Sequence, residues 1–107
     1  MELSMEIKSS ADRLAPPDVP PIYHGGVIYS QDEDGPGGLL LASDEDTGKP
    51  LWTLRIYDVD IDESYEADAQ WVFFAAMTLD ADGRLRIVNE AGNTFLVDVT
   101  TRQIAAA

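Results

Sequence analysis

Beyond residue 21 the chain alternates short apolar runs with clusters of Gly, Asp and Asn. Trp52, Leu54 and Ile56 stand between Thr53, Arg55 and Tyr57, the period-two pattern of a strand with one buried face. Ile22 to His24 and Val27 to Ser30 flank Gly25-Gly26, which predicts a hairpin. Gln31 to Gly38 is an acidic, Gly-Pro loop leading into a strand over Leu39 to Ala42. That strand ends in Asp44, Glu45, Asp46, Thr47 and Gly48, where Asp and Thr side chains bond nearby amides and Gly tolerates φ > 0. After Ile56 the phase slips to Val59 and Ile61, which predicts a bulge near Tyr57 and Asp58.

In Trp71 to Leu79 both alternating faces are apolar. The run reads as a central strand covered on both sides, and periodicity alone leaves a short buried helix open. Asp80 to Gly83 and Glu90 to Asn93 are turns around a strand at Leu85, Ile87 and Val88, and Thr94 to Val99 closes a C-terminal β-meander. About six or seven short antiparallel strands between residues 22 and 100 are expected. Pro16, Pro17, Pro20 and Pro21 favour an extended lead-in, so residues 1–20 are read as a flexible Pro-rich tail and 21–107 as a single β domain.

Residues 42–52 add a motif. Ala42, Asp44, Thr47, Gly48 and Trp52 occupy every fixed position of AxDxxTGxxxW, and here the chain resembles the tryptophan-docking repeat of quinoprotein-type β-propellers. The resemblance implies that Trp52 packs between blade-like sheets while Asp44 and Thr47 brace the turn. A degenerate partial copy lies at Val97 to Gln103, where Asp98 and Thr101 keep their spacing, Arg102 replaces Gly, and no Trp follows. The chain's 107 residues suit one domain burying roughly 65% of its unfolded surface, too little for a closed propeller of several four-stranded blades. The expected fold is therefore all-β: a small antiparallel sheet, sandwich or partly open barrel built from propeller-blade-like hairpins.

Net charge is −13, from twenty acidic and seven basic residues, and that field repels nucleic acid and anionic membranes. Cys is absent, which removes disulfides and thiolate chemistry. Charged residues interrupt the segment before Pro21, no apolar run approaches the ~20 residues of a membrane span, and a cytoplasmic monomer is expected.

Candidate chemistry concentrates at Asp58, Asp60, Asp62, Glu63, Glu66 and Asp68. The first three have the spacing of an EF-hand loop and are the metal candidates, for Ca²⁺; yet Glu63 stands where that loop needs Gly, and Ala69 where it needs Glu. The favoured reading is a solvated acidic loop with no resident metal. His24 is the one histidine, and Ser30 and Ser43 lack a nucleophile elbow, so no catalytic residue is assigned and the chain reads as a non-enzyme. Gly35, Gly37 and Gly38 do not form a dinucleotide fingerprint, Gly48-Lys49 is followed by Pro50, and turn-making accounts for the glycines, so no cofactor is expected. Tyr23, Tyr29, Tyr57 and Tyr65 are read as packing residues with wet hydroxyls. What remains is a small acidic, non-catalytic module that binds another protein through a sheet edge or its acidic loops. The alternative is a small-ligand or Ca²⁺-binding accessory protein using the 58–68 loop.

Overall fold

A computed structural model describes residues 19–66 and 70–107. Residues 1–18 of the expected tail, and Asp68 of the acidic run, lie outside the described residues. Val19, on the tail side of the expected boundary, packs against the core.

The described chain forms eight strands: β1 (Ile22–His24), β2 (Val27–Asp32), β3 (Leu39–Asp44), β4 (Pro50–Arg55), β5 (Phe74–Leu79), β6 (Leu85–Asn89), β7 (Thr94–Asp98) and β8 (Gln103–Ala106). They make two four-stranded antiparallel meanders, β1-β2-β3-β4 and β5-β6-β7-β8, each in chain order. The all-β antiparallel expectation holds, in the form of two sheets packed as a small sandwich. Gly25 and Gly26 join β1 to β2 with φ of 61° and 79°, the pair of positive values that a tight hairpin turn demands.

Register explains the core. Tyr29, Ala42 and Trp52 lie in one cross-strand row, and Gln31, Leu40 and Leu54 in the next. Ala42 is fully buried and has no side chain beyond Cβ, so the rings of Tyr29 and Trp52 meet across it at 6.0 Å. In the second sheet the rows are Met77, Ile87, Phe95, Ala106 and Leu79, Leu85, Val97, Ile104. One apolar cluster joins Tyr29, Leu40 and Ala42 to Phe74, Met77, Leu85, Ile87 and Val97, with Ile56 added from the connection.

Four sequence expectations are corrected. The central strand over Trp71–Leu79 is an edge strand: β5 starts at Phe74 and pairs with β6 alone. A register shift at Ala75 brings Phe74 and Met77 to the same buried face and leaves Ala75, Ala76, Thr78 and Leu79 exposed, so strict alternation fails at the bulge. The bulge expected near Tyr57 and Asp58 has no ladder to interrupt. β4 stops at Arg55, and the phase slip marks the end of the sheet. An eighth strand, β8, follows the degenerate repeat and makes the C-terminal meander four-stranded. Trp52 and Leu54 are half-buried against the core rather than enclosed by it, because β4 is an edge.

Candidate functional site

The connection from Ile56 to Phe73 is irregular, so its backbone polar groups need partners beyond a ladder. Ile56 N–H donates to the Gly38 carbonyl and Val72 N–H to the Pro36 carbonyl. Phe73 N–H donates to Glu90 Oε1 at 2.9 Å, Glu90 N–H returns a bond to the Phe73 carbonyl, and Phe74 N–H donates to Gln31 Oε1 at 2.6 Å. The Gln70 amide accepts from Asp62 N–H and donates to the carbonyls of Asp62 and Glu66. These bonds pin the connection between the 33–38 loop and the β6–β7 turn.

Two glycines permit that approach. A Cβ at Gly37 would collide with the Val72 carbonyl, and one at Gly38 with the Tyr57 carbonyl. Both residues also hold positive φ, 118° and 88°. The turn-making account of the glycines is therefore incomplete, since these two are required by close backbone contact.

Tyr57 is the anchor. Its ring stacks on Phe95 at 5.3 Å and lies 6.2 Å from Phe74, and its hydroxyl donates to the Val72 carbonyl at 2.7 Å. Burial, reinforced by the Glu90 carboxylate, pushes the phenol's pKa well above the ordinary tyrosine value, against a smaller lowering by a bond from the Gly38 backbone. Tyr29 is raised by burial alone. Tyr23 and Tyr65 are exposed, so the packing reading fails for those two rings.

A groove of about 220 Å³ opens beside Tyr57. Val59, Val72 and Ala91 supply apolar wall, while exposed Asp58, Asp60 and Asn93 supply polar groups. Asn89 also lines it, and at 5% exposure is the buried polar residue of the described chain. Its Oδ1 accepts from Ala91 N–H at 3.0 Å and Asn93 N–H at 2.9 Å, shaping the β6–β7 turn. Its Nδ2 has no acceptor among the described residues.

The metal candidates separate. Asp58 and Asp60 border the groove, whereas Asp62 does not, and its Oδ1 accepts from Ser64 N–H within its own turn. Asp58 also lies 3.7 Å from Arg55. Among the described residues no group of three His, Cys, Asp or Glu side chains is arranged to hold a metal ion. His24 is exposed on β1, and Ser30 and Ser43 lie within strands.

The motif residues build a turn. Asp44 Oδ1 accepts from the amides of Asp46 and Thr47, Thr47 Oγ1 from Lys49, and Gly48 N–H donates to the Asp44 carbonyl with φ of 75°. The β7–β8 turn repeats this scheme. Asp98 Oδ1 accepts from Thr100 and Thr101, Thr101 Oγ1 from Gln103, and Arg102 N–H donates to the Asp98 carbonyl. Arg102 holds φ of 63° and carries its guanidinium 4.7 Å from the centre of the Trp52 ring, so the turn of one sheet caps the aromatic of the other.

The sheets leave four edges, and they are unequal. Short β1 follows Pro20 and Pro21, while β4 opens with Pro50 and ends in Arg55. β5 is bulged, and the Phe74 N–H at its start is taken by Gln31. β8 carries no proline, charge or bulge. Because Ala107 N–H donates to the Thr94 carbonyl in the same register, Gln103 and Ala105 bond inward and Ile104 and Ala106 direct N–H and C=O away from the sheet.

Sequence reasoning missed Asn89, Gln70 and Val72, because a turn-flanking Asn, a loop Gln and an apolar Val carry no chemical signature until the connection folds over them. No family model matches the chain, and neither a curated protein nor a solved structure does.

Proposed function

We propose that this chain is a small acidic, non-catalytic module that binds another protein by accepting an extended segment at the β8 edge. The observation that carries this reading is the contrast between edges: proline, charge, a bulge or a side-chain clip blunts β1, β4 and β5, and β8 has none of these. An unprotected edge is a template for strand addition, in which backbone bonds give affinity and alternate side chains give specificity. The partner strand would bond Ile104 and Ala106 and set apolar residues beside Ile104, whose side chain is exposed at the end of a core row. With a net charge of −13, the favoured partner segment has basic flanks.

Proline scanning tests it. Ala106→Pro removes an outward N–H while sparing the ladder, so the fold survives and the edge is blocked. Parallel affinity capture with the wild-type chain and Ala106→Pro should yield a basic partner that only the wild type retains. A partner held equally by both chains, at matched thermal stability, would rule out the β8 edge.

A further inference from the structure

The groove beside Tyr57 carries a second reading, independent of the β8 edge. Asn89 is 95% buried by its 5% exposure, and its Oδ1 is committed to the two turn amides. The Nδ2 group is left with two N–H donors and no acceptor among the described residues. An unmet buried donor forfeits its hydration without a replacement bond, and native structures leave few of them without a role. Asn89 is also a lining residue of the groove, so the groove is where a complement would reach it. Two carboxylates line the same space from exposed positions, Asp60 and Asp58, the latter also 3.7 Å from Arg55, and Tyr57 and Val59 line it as well.

We infer that this groove binds a small primary amine that also carries a carbonyl or hydroxyl oxygen. The oxygen accepts from Asn89 Nδ2, the ammonium faces Asp58 and Asp60, and a short carbon skeleton covers Tyr57 and Val59. About 220 Å³ suits a molecule of amino-acid size rather than a drug-sized one. The overall charge of −13 raises the local concentration of such a cation. An inorganic cation alone would leave the Asn89 donor unmet, and an anion would meet the carboxylates with like charge. An α-amino amide, or the first residue of a peptide, has both required groups on adjacent carbons.

The test is an NMR titration of the full chain, following the Asn89 side-chain NH₂ signals directly. Alaninamide is the probe, with N-acetylalaninamide lacking the ammonium and propylamine lacking the carbonyl. Saturable shifts at Asn89 Nδ2 and the Tyr57 ring are expected with alaninamide, with affinity about tenfold weaker for each truncated probe, the loss of one polar contact. Asp58→Asn with Asp60→Asn, both at exposed positions, should weaken alaninamide by at least about tenfold without lowering the melting temperature. Unmoved Asn89 signals would overturn the site. So would non-saturating shifts spread over all the acidic loops, which is the signature of counterion screening alone.

Discussion

Gly37 and Gly38 sit where the 33–38 loop touches the connection between the sheets, and there the absence of a side chain is a steric requirement. Gly37→Ala and Gly38→Ala should each lose more than about 2 kcal/mol in urea melts, because the new Cβ meets a backbone carbonyl as well as a strained φ. Gly48→Ala, in open space at φ of 75°, should lose only about 1 kcal/mol. Equal losses at all three would refute the contact argument. At Tyr57, Tyr57→Phe removes the bond to the Val72 carbonyl and should cost about 1 kcal/mol at neutral pH. Folding raises this phenol's pKa, so the folded state holds the proton more tightly than the unfolded chain does. The corresponding stability is complete below the unfolded tyrosine pKa of about 10 and is lost as pH climbs beyond it. Thermal melts on the alkaline side should therefore fall more steeply for wild type than for Tyr57→Phe.

At the level of elements, the Asp44–Gly48 and Asp98–Arg102 turns and the Trp52 contact form one device. Trp52→Ala should cost about 2 kcal/mol, less than the ~3–5 of a fully enclosed aromatic because β4 is an edge, while Asp60→Ala should stay within about 0.5. A Trp52→Ala loss within 0.5 kcal/mol, roughly the surface-substitution level, would contradict its packing role. Arg102 pays about 1 kcal/mol to hold the left-handed conformation and recovers about 0.5–1 from the Trp52 ring. Arg102→Gly should then be near neutral in wild type and stabilising by about 1 kcal/mol in the Trp52→Ala background. Denaturant melts of the four-member cycle check this, and additive effects would show that the ring contact contributes nothing.

For the whole molecule, twenty carboxylates against seven basic groups make self-repulsion the dominant long-range term. Salt should raise the melting temperature, and Ca²⁺ and Mg²⁺ at equal millimolar levels should raise it alike, because Asp58 and Asp60 border the groove while Asp62 is engaged in its own turn. A saturable, stoichiometric heat specific to Ca²⁺ and abolished by Asp60→Asn would instead establish a coordination site. The two sheets also meet in a defined way. The Tyr29–Ala42–Trp52 row of the first sheet and the Met77–Ile87–Phe95 row of the second both face the common core. The interior is thus consumed by the pairing of the two meanders.

Local chemistry was enough to read β1 to β7 in outline and the tight turns among them. The Gly25-Gly26 hairpin, the Asp44–Gly48 turn and the β6–β7 meander follow from φ preferences, Asx bonding and period-two alternation, all of which act within a few residues. The sequence by itself therefore determined an all-β antiparallel chain and the position of its turns. Only tertiary structure decided which strands are edges, because Phe74 to Leu79 is equally apolar whether a neighbour covers one side or two. It also decided β8, since Gln103 to Ala106 has weak strand propensity and is held by pairing with β7. The groove belongs to the same class: Tyr57, Val72 and Asn89 are separated along the chain and meet when the 56–73 connection is bonded across the β6–β7 turn. Burial and long-range hydrogen bonding create that site, and neither is encoded in any short stretch of sequence.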